Sequence, residues 1–386
     1  MSGAQQGNPT GTLTLLVNGQ ALTGWEATRV TRSIDRVPSD FDIELSERYP
    51  TDPSQMSAMP GATCQVMIDS DKVLTGYVDR VVMQVSPSRH NVRIMGRSKL
   101  EDIHDCSITP SVLLGGSILT ASLTDLATRI CAPYGISVKN LSKTNVSLPT
   151  YTGDIISAIL TETGWTILER VSRCLGVLLY DDADGNLVIA DVGTSTMASG
   201  FEEGVNIQDA GVSFSADERF HTYLPNLTSM NVVGGPASID FSSQAVIDAD
   251  IRPARQMIVV SEQFQLTGND SVTPFAVKRA QWEAARRKGR SQTMSVACDS
   301  WRDSAGTLWQ PNAYAPITLP SLKQVQTSDP WVIASVGYLR DPTRGTIAEV
   351  MMMPKGAFQP APELFTNLLP SANTPGGDPL VDKQLT

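Results

Sequence analysis

A run of acidic residues offers the most recognisable metal chemistry in this sequence. Tyr180 to Asn186 reads YDDADGN, and carboxylates spaced along a loop are ligands that calcium prefers. In an EF-hand loop aligned on Gly185, however, the first ligand position is Tyr180 and the twelfth, which needs a bidentate glutamate, is Asp191. The flanking residues have the pattern of strands, not helices. We therefore predict a hairpin turn at Asp184-Gly185 and no metal site.

Nucleophile and base chemistry would depend on the three histidines of the chain. His104-Asp105-Cys106 places a thiol beside a base, but neighbouring side chains on an extended chain point to opposite faces, so a structural role is predicted. His90 is predicted to lie in a polar, solvated turn. His221 has no acidic residue or cysteine near it in the sequence.

The motifs that would identify an enzyme are missing. The sequence contains no HExxH, GxSxG or GxxxxGK[ST] pattern. Gly115-Gly116 and Gly234-Gly235 lack the lysine or the GxGxxG spacing that holds a phosphate, so both are predicted to be turns. We therefore predict no enzyme activity, no catalytic residue, no cofactor and no metal ligand.

Basic residues gather near the end of a predicted helix that runs from Pro274 to Lys288. We interpret them as solvated cations that complement the negative end of the helix dipole. The alternative is a salt-bridging patch against an acidic partner or a sister subunit. The cluster consists of Arg286, Arg287, Lys288 and Arg290.

The tryptophans and cysteines are predicted to serve packing. Trp301, Trp309 and Trp331 are more typical of a core or an interface than of a sugar-binding platform. The cysteines are scattered and form no CxxC pair, which indicates small buried side chains in a reducing compartment and not a disulfide framework or zinc site. The five cysteines are Cys64, Cys106, Cys131, Cys174 and Cys298.

Length and composition exclude several classes of protein. The chain has 386 residues, of which 41% are hydrophobic and 18% charged, so it can bury the cores of two or three domains. A formal charge of -10 disfavours a protein whose main task is to hold DNA, because phosphates would be repelled. No run of apolar residues is long enough for a membrane anchor, and the N-terminus lacks the features of a signal peptide. We expect the protein to be made and kept in a cytosol.

The elements that would position these residues begin with a β-rich region. Asn18-Gly19 is typical of a two-residue hairpin turn, and Pro60-Gly61 starts a second group of strands. Tight turns separate six or seven short strands, which predicts an antiparallel barrel or sandwich because closure removes exposed edges. The predicted strands are 12–17, 25–31, 41–45, 63–68, 73–85 and 92–95.

The middle of the chain has a helical period and predicts an α+β unit. Two helices are expected, one capped by Ser122 or Thr120 and ending near Pro133, and one from 154 to about 174. Gly176 suits the left-handed end of the second helix. Strands are expected at 177–180 and 187–190.

Strand patterning returns after Gly204 and predicts a second barrel. The helix from Pro274 interrupts it, with Pro274 in the first turn and Gly289 at the end. Beyond Met353, prolines predict an extended arm or disordered tail. The predicted strands are 212–214, 227–233, 257–260, 293–297, 315–319 and 332–338, and an apolar cluster in the tail suited to docking on a neighbour comprises Leu364, Phe365, Leu368 and Leu369.

The sequence thus predicts a mainly β chain with two antiparallel β-barrel domains, a mixed α/β domain and an extended C-terminal arm. The expected divisions are a flexible N-terminus at 1–10, the first barrel at 11–107, the α+β domain at 108–204 plus 238–292, the second barrel at 205–237 plus 293–357, and a proline-rich tail at 358–386.

The order of short motifs resembles the baseplate hub family of Mu-like contractile-tailed bacteriophages. The similarity covers about residues 11 to 358, and each motif is weak alone, whereas the ordered series is specific. The motifs that carry it are Pro60-Gly61, 74–79 (LTGYVD), 94–99 (IMGRSK), 102–106 (DIHDC), 130–135 (ICAPYG), 174–178 (CLGVL), 184–188 (DGNLV), 309–312 (WQPN), 331–333 (WVI) and the stretch from Gly345.

The resemblance implies a structural protein of the virion tail baseplate that is assembled in the host cytoplasm. A homotrimer would place two barrels per chain in a pseudo-sixfold ring that adapts the hexameric tail tube to the trimeric central spike. Implied partners are the spike protein, a tail tube or tube-adaptor protein, and the tape measure protein. DNA would pass through the lumen without specific binding, and the acidic balance suits a lumen lined by Asp, Glu and neutral polar side chains.

One different function stays open at this point. A β-rich glycan-binding or depolymerase tail component would need a cleft with paired carboxylates about 5 to 10 Å apart, flanked by aromatic residues. The sequence contains many Asp and Glu residues but gives no way to pair them. A peptidoglycan hydrolase is disfavoured because its catalytic residue sets are absent.

Overall fold

We describe the fold from a computed structural model. It describes residues 11–46, 58–87, 89–108, 117–119, 122–146, 155–157, 161–229, 237–240, 244–263, 269–325 and 331–359. The predicted turns at Gly115-Gly116 and Gly234-Gly235, the flexible N-terminus and the apolar tail cluster lie outside these residues. Among the described helices, none is long and apolar enough to cross a bilayer.

The first hundred residues form antiparallel strands, as predicted. Asn18 and Gly19 have φ angles of 48° and 83°, which a tight hairpin turn requires. His90 is an exception, because its backbone lies in a strand opposite Val85 and not in a turn. The strands are β1 (Leu13–Val17), β2 (Gln20–Leu22), β3 (Ala27–Ser33), β4 (Asp40–Ser46), β5 (Thr63–Ile68), β6 (Asp71–Ser86) and β7 (Arg89–Ser98).

The middle region mixes helices and strands. Its elements are α1 (Glu101–Asp105), β8 (Ser117–Leu119), α2 (Leu123–Cys131), β9 (Val138–Asn140), β10 (Ile155–Ser157), α3 (Gly164–Leu175), β11 (Leu178–Asp181) and β12 (Leu187–Ala190). The Ser122 side chain accepts a hydrogen bond from the backbone N–H of Asp125, which confirms the predicted N-cap of α2. Gly176 ends α3 with a φ angle of 74°, also as predicted.

The helix predicted from residue 154 is wrong in its first half. Ile155–Ser157 form β10, which pairs with β8, and the helix begins only at Gly164. Consecutive β-branched residues favour a strand once a partner strand is available. The side chain of Thr163 then caps α3 by accepting the backbone N–H of Thr166.

The later part of the chain returns to strands around one long helix. Its elements are β13 (Ser195–Thr196), β14 (Phe201–Glu202), β15 (Ile207–Phe214), β16 (Thr222–Ser229), β17 (Ala237–Asp240), β18 (Val246–Ile247), β19 (Gln256–Gln263), α4 (Asn269–Arg290), β20 (Gln292–Cys298), β21 (Ala313–Tyr314), β22 (Ile317–Leu319), β23 (Gln324–Val325), β24 (Trp331–Asp341) and β25 (Gly345–Pro354). The sequence did not predict β25.

The bounds predicted for α4 are wrong at both ends. The helix begins at Asn269, so Pro274 does not lie in its first turn, and it continues through Gly289. Gly289 does not end the helix, but its lack of a side chain allows the backbone at Ala357 to pack closely against α4. A Cβ atom there would lie 2.3 Å from the backbone nitrogen of Ala357.

One large sheet joins the two ends of the chain. Its strand order is β15-β20-β25-β24-β3-β4-β7-β6-β5-β1-β2; off this path, β21 pairs with β24 and β13 pairs with β21. The mainly antiparallel β fold is therefore confirmed. Among the described residues, the sheet ends at β15 on one side and at β2 on the other. These pairings therefore do not show two separately closed barrels. A single core includes Val30 and Ile43 from the early strands and Val296 and Trp309 from the late ones.

Smaller units pack around this sheet. A second core joins α2 and α3 to the sheet β11-β12-β9. A separate four-stranded sheet of β16 to β19 packs against α4 through Tyr223, Val259 and Ala280. There the buried Arg219 donates to both carboxylate oxygens of Asp248 at 2.8 to 3.0 Å.

Candidate assembly interface

The predicted hairpin at Asp184-Gly185 is confirmed. Gly185 has a φ angle of 73° between β11 and β12. Asp182 accepts backbone N–H groups from Asp184 and Asn186 at 2.9 Å, and Lys139 lies 2.5 Å from its other oxygen. Turn and lysine contacts thus occupy these carboxylates, and no cluster of metal-ligating residues occurs in the described part of the chain.

The residues that could supply nucleophilic chemistry do not form a catalytic group. His104 and Asp105 lie in the short helix α1, not on an extended strand, and the imidazole Nδ1 lies 3.0 Å from the Asp105 carboxylate. His221 Nδ1 lies 2.8 Å from the hydroxyl of its neighbour Thr222. The geometry places no thiol in a hydrogen bond with either imidazole in the described residues.

The packing roles predicted for the tryptophans and most cysteines are confirmed. Trp301, Trp309 and Trp331 are buried in the large core. Cys64, Cys131 and Cys298 are buried, whereas Cys106 is exposed, so the prediction is wrong for Cys106. Cys106 follows α1 on the surface and has no core to enter. The side chain of Cys174 lies outside the described residues.

The basic cluster on α4 is paired within the chain and does not form a merely solvated patch. Arg287 lies 2.6 Å from Glu283, Lys288 lies 2.8 Å from Asp250, and Arg290 lies 3.2 Å from Asp35. These contacts attach α4 to its surroundings. Arg286 instead lies over the ring of Trp282, at 5.3 Å from the centroid.

A carboxyl cluster sits where β7 meets α1. Arg97 lies 2.7 Å from Asp79, 2.8 Å from Asp105 and 3.3 Å from Glu101. Burial raises the pKa of Glu101 to about 8, the nearby Asp79 carboxyl adds to the rise, and Arg97 opposes it. A side-chain hydrogen bond joins Glu101 to Asp79, so this pair is too close to hold a sugar between two carboxyl groups.

Glu101 predicts a specific dependence of stability on pH. The folded protein keeps this proton up to about pH 8, whereas the unfolded chain loses it near pH 4.5. The unfolded state therefore binds fewer protons in this window, so the free energy of unfolding falls as pH rises. We expect Glu101→Gln to match the parent at pH 5 and to exceed it by about 1 to 2 kcal/mol at pH 9.

Urea unfolding at both pH values measures this difference. Glu349→Gln is the matched control, because Glu349 is a sheet carboxylate that pairs with Arg344. A Glu101→Gln variant with the same stability as the parent at pH 9 would contradict the assignment of a retained proton.

The large sheet contains the same four-strand arrangement twice. We define the N-terminal quartet as β3, β4, β6 and β7, and the C-terminal quartet as β15, β20, β24 and β25. When the strands of each quartet are numbered by chain order, both quartets have the spatial order first, second, fourth, third. The third strand of the C-terminal quartet, β24, pairs antiparallel with the first strand of the N-terminal quartet, β3. The sheet therefore repeats one motif head to tail.

A β-bulge at the same place supports this repeat. The register shifts between Val78 and Arg80 in β6 and between Ile333 and Ser335 in β24, each time opposite the fourth strand. If the bulges are aligned, the core-facing positions of the two quartets correspond in every strand. The corresponding rows are Val81–Ile94–Ile43–Thr28 and Val336–Val350–Val296–Ala210.

The two outer strands of the repeat have free edges. Within the described residues, β15 pairs only with β20, and the part of β6 from Arg80 to Val85 pairs only with β7. Apolar side chains on the core-facing side are exposed there, with relative exposures of 47% for Met83, 84% for Val85 and 59% for Phe214. The core surface thus extends past the strands that cover it, which is typical of an interaction site.

Sequence reasoning did not single out these edges. Val81, Met83 and Val85 occupy alternate positions of β6, and Ala210 and Val212 occupy alternate positions of β15. Alternation of this kind indicates a strand with a covered face, but it does not say whether the same chain or another provides the cover.

Comparisons with known proteins agree with this architecture. Three family models match in chain order: Mu phage baseplate assembly protein GpP-like, N-terminal, at 12–98; baseplate hub protein gp44-like, second domain, at 101–191; and Mu phage baseplate assembly protein GpP, fourth domain, at 272–361. Baseplate hub protein gp44 of Escherichia phage Mu is 28% identical over 357 residues, which cover 90% of this chain and 89% of gp44.

Solved structures show the same fold. The 43 kDa tail protein of prophage MuSo2 from Shewanella oneidensis has a TM-score of 0.74 and 28% identity, with 90% of this chain and 99% of that chain covered. A tail protein from Neisseria meningitidis MC58 has a TM-score of 0.71 and 17% identity, with 92% and 99% covered. An E. coli type VI secretion component, described as similar to T4 gp27 and gp5, has a TM-score of 0.56 and 9% identity, with 90% and 79% covered.

The fold and the repeated sheet define a phage tail protein. The chain belongs to the baseplate hub family of Mu-like contractile-tailed phages, as the ordered domain models and the relative from phage Mu show. It is a component of the virion tail baseplate, and its relatives are structural proteins.

Proposed function

We propose that three copies of this chain close into a ring in which six quartets occupy near-equivalent positions. The joint between β24 and β3 within one chain carries the proposal, because it brings a third strand beside a first strand. The free edges belong to the remaining third strand, β6, and the remaining first strand, β15. Pairing β6 with β15 of the next copy repeats the same joint, and a head-to-tail contact of this type forms rings when it closes.

The internal joint also supplies the register between copies. Its core-facing pairs are Val336–Arg32, Tyr338–Val30 and Arg340–Thr28. When the bulges are aligned, β24 corresponds to β6 and β3 corresponds to β15. The pairs between β24 and β3 therefore predict which residues of β6 and of β15 in the next copy lie opposite each other. The resulting pairs between copies are Val81–Phe214, Met83–Val212 and Val85–Ala210, and every member is apolar. Such pairs would cover the exposed core surface at both edges.

The ring would have a polar bore through which DNA passes. The sheet face opposite the core carries Asp42, Glu44, Asp79, Asp209 and Glu349. It also carries arginines, which amends the expectation of a lining with only acidic and neutral residues. Arg93 pairs with Asp42, and Arg97 pairs with Asp79. Cations that are neutralised by neighbouring carboxylates hold DNA weakly, so a phage genome can move through.

This arrangement would serve as an adaptor at the tip of the tail. Six near-equivalent quartets match a hexameric tail tube or a tube-adaptor protein on one side, whereas three identical chains match a trimeric central spike on the other. The tape measure protein is a further candidate partner. Two similar quartets in one chain satisfy both symmetries at once.

We also propose the domain division 11–107, 108–204 plus 238–292, 205–237 plus 293–357, with tails at 1–10 and 358–386. The chain order of the family models and the separate cores support this division in outline. The second part of the α+β domain, given above as 238–292, starts earlier than residue 238 by this criterion. Because β16 pairs with β17, β18 and β19, the pairing supports a start between β15 and β16.

A cysteine pair tests the ring. In a Cys106→Ser background, we expect the double variant Met83→Cys with Val212→Cys to form disulfides between copies, because directly opposed Cβ atoms lie about 4.5 to 5.5 Å apart. A non-reducing denaturing gel should show a covalent species of three 41.5 kDa chains that reverts to one chain on reduction.

The control shifts the register by one residue. Val82 points to the opposite face of β6, so Val82→Cys with Val212→Cys should remain uncrosslinked. Equal crosslinking in both variants, or a species with a number of chains other than three, would overturn the proposed ring.

A further inference from the structure

A cleft of about 560 Å³ between α3 and α4 has unusual chemistry for a chain of net charge -10. Two tryptophans, Trp165 and Trp282, line it. Its charged lining consists of Asp35, Glu169, Arg36, Arg173, Arg279, Arg286 and Arg290. Cations outnumber carboxylates, so the cleft favours a negatively charged occupant. Tryptophan and arginine are also the residues that most often dominate protein contacts.

Arg286 is the cation in this cleft that most needs a partner. It lies over Trp282, and within the described residues no carboxylate lies within 4.0 Å of its guanidinium. Burial lowers the pKa of Arg286 and the like charge of Arg290 lowers it further, whereas the carboxylates of Glu283 and Asp35, which lie beyond ion-pair distance, offset only part of this. A carboxylate beside Arg286 would offset both effects.

The end of the described chain leads into the same cleft. Phe358 is buried, and the indole N–H of Trp282 donates to the backbone oxygen of Gln359 at 2.6 Å. The next ten residues are PAPELFTNLL. Pro360 and Pro362 favour an extended backbone that needs no partner strand. Glu363 is the first acidic residue after Gln359.

The length of this segment and the charge of Glu363 both allow an ion pair with Arg286. Four extended residues span about 13 Å, so Glu363 can lie anywhere within that distance of Gln359. Arg286 lies one helical turn, about 6 Å, from Trp282, which already holds Gln359. The carboxylate can therefore reach the guanidinium without displacing the indole contact.

We propose that residues 360–369 of the same chain bind in this cleft, with the Glu363 carboxylate paired to Arg286. The segment would then connect the end of the C-terminal quartet to α3 of the middle region. This contact would fix the middle region against the large sheet from outside, independently of the ring.

A disulfide trap tests the placement in the full-length chain. In a Cys106→Ser background, Glu363→Cys with Arg286→Cys should form an intramolecular disulfide in oxidised glutathione at least about ten times faster than the control pair. The control is Glu363→Cys with Lys288→Cys, because Lys288 pairs with Asp250 on a different side of α4. Mass spectrometry of peptides identifies the bond.

The result that overturns the proposal is equally specific. Equal rates for the two pairs would exclude the cleft as the binding site, and a disulfide between two copies would show that another chain occupies it. As a second readout, Glu363→Arg and Arg286→Glu should each lower the melting temperature by about 1 to 2 °C, and the double variant should restore it. Additive losses in the double variant would also count against the pair.

Discussion

Replacing Phe214 with aspartate is expected to leave the protein folded but unable to form the proposed ring of three chains. In the single chain, Phe214 is 59% exposed at the end of β15, so the substitution removes little of the chain's own core. In the proposed contact, Phe214 faces Val81 of the next copy, and an aspartate there would be buried without a partner. We expect the concentration for half-assembly to rise by about 100-fold or more.

Mass photometry measures the outcome directly, as a shift from three chains to one. The matched control is Ile258→Asp, which adds the same charge at a side chain that is 61% exposed on β19, away from both free edges. We expect that control to assemble like the parent. Assembly of Phe214→Asp at parental concentrations would contradict the proposed contact.

Replacing Trp309 with alanine should cause the largest loss of stability in the chain. The indole is fully buried, stacks on Phe201 at 4.5 Å between centroids, and donates to the backbone oxygen of Ser300 at 2.9 Å. The hydroxyl of Tyr338 donates to the backbone oxygen of Trp309 itself. Removal of the ring leaves a cavity beside these groups, and we expect the free energy of unfolding to fall by about 3 to 5 kcal/mol.

Guanidinium unfolding followed by circular dichroism measures this loss. Trp309→Phe keeps most of the volume but loses the N–H, so it should lose clearly less than the alanine variant. Trp282→Ala removes an indole that lines the surface cleft and not the core. It should therefore lower the free energy of unfolding by even less than Trp309→Phe does. Equal losses at positions 282 and 309 would contradict the structure of this core.

Local pattern was sufficient to predict most strands. The alternation in β5 and the short apolar run of β12 gave their bounds, and Asn18-Gly19 identified the first hairpin, because these features depend on neighbours in sequence. The segment at Ile155 failed for the opposite reason. Its helical spacing was real, but pairing with β8, almost forty residues away, decided its structure. Helix α4 was found, although Gly289 was misread, because its close contact with Ala357 is not visible in a linear sequence.

The candidate interface could not be predicted in the same way. The joint between β24 and β3 connects residues that are about three hundred positions apart, and no periodicity encodes such a pairing. The bulges are likewise invisible until the fourth strand of each quartet is in place. The family resemblance did imply two equivalent units, but only the strand order and register give the residues that would meet.

The internal joint and the proposed joint between copies differ in a way that follows from covalent connectivity. Inside one polypeptide, β24 and β3 are tethered, so each meets the other at a high effective concentration and the joint tolerates Arg32 and Arg340. Between separate molecules no tether exists, and translational freedom must be lost on association. The proposed joint between copies would therefore be the more apolar of the two, because separate molecules have to associate there, whereas the internal joint can contain charged residues because the chain already connects its strands.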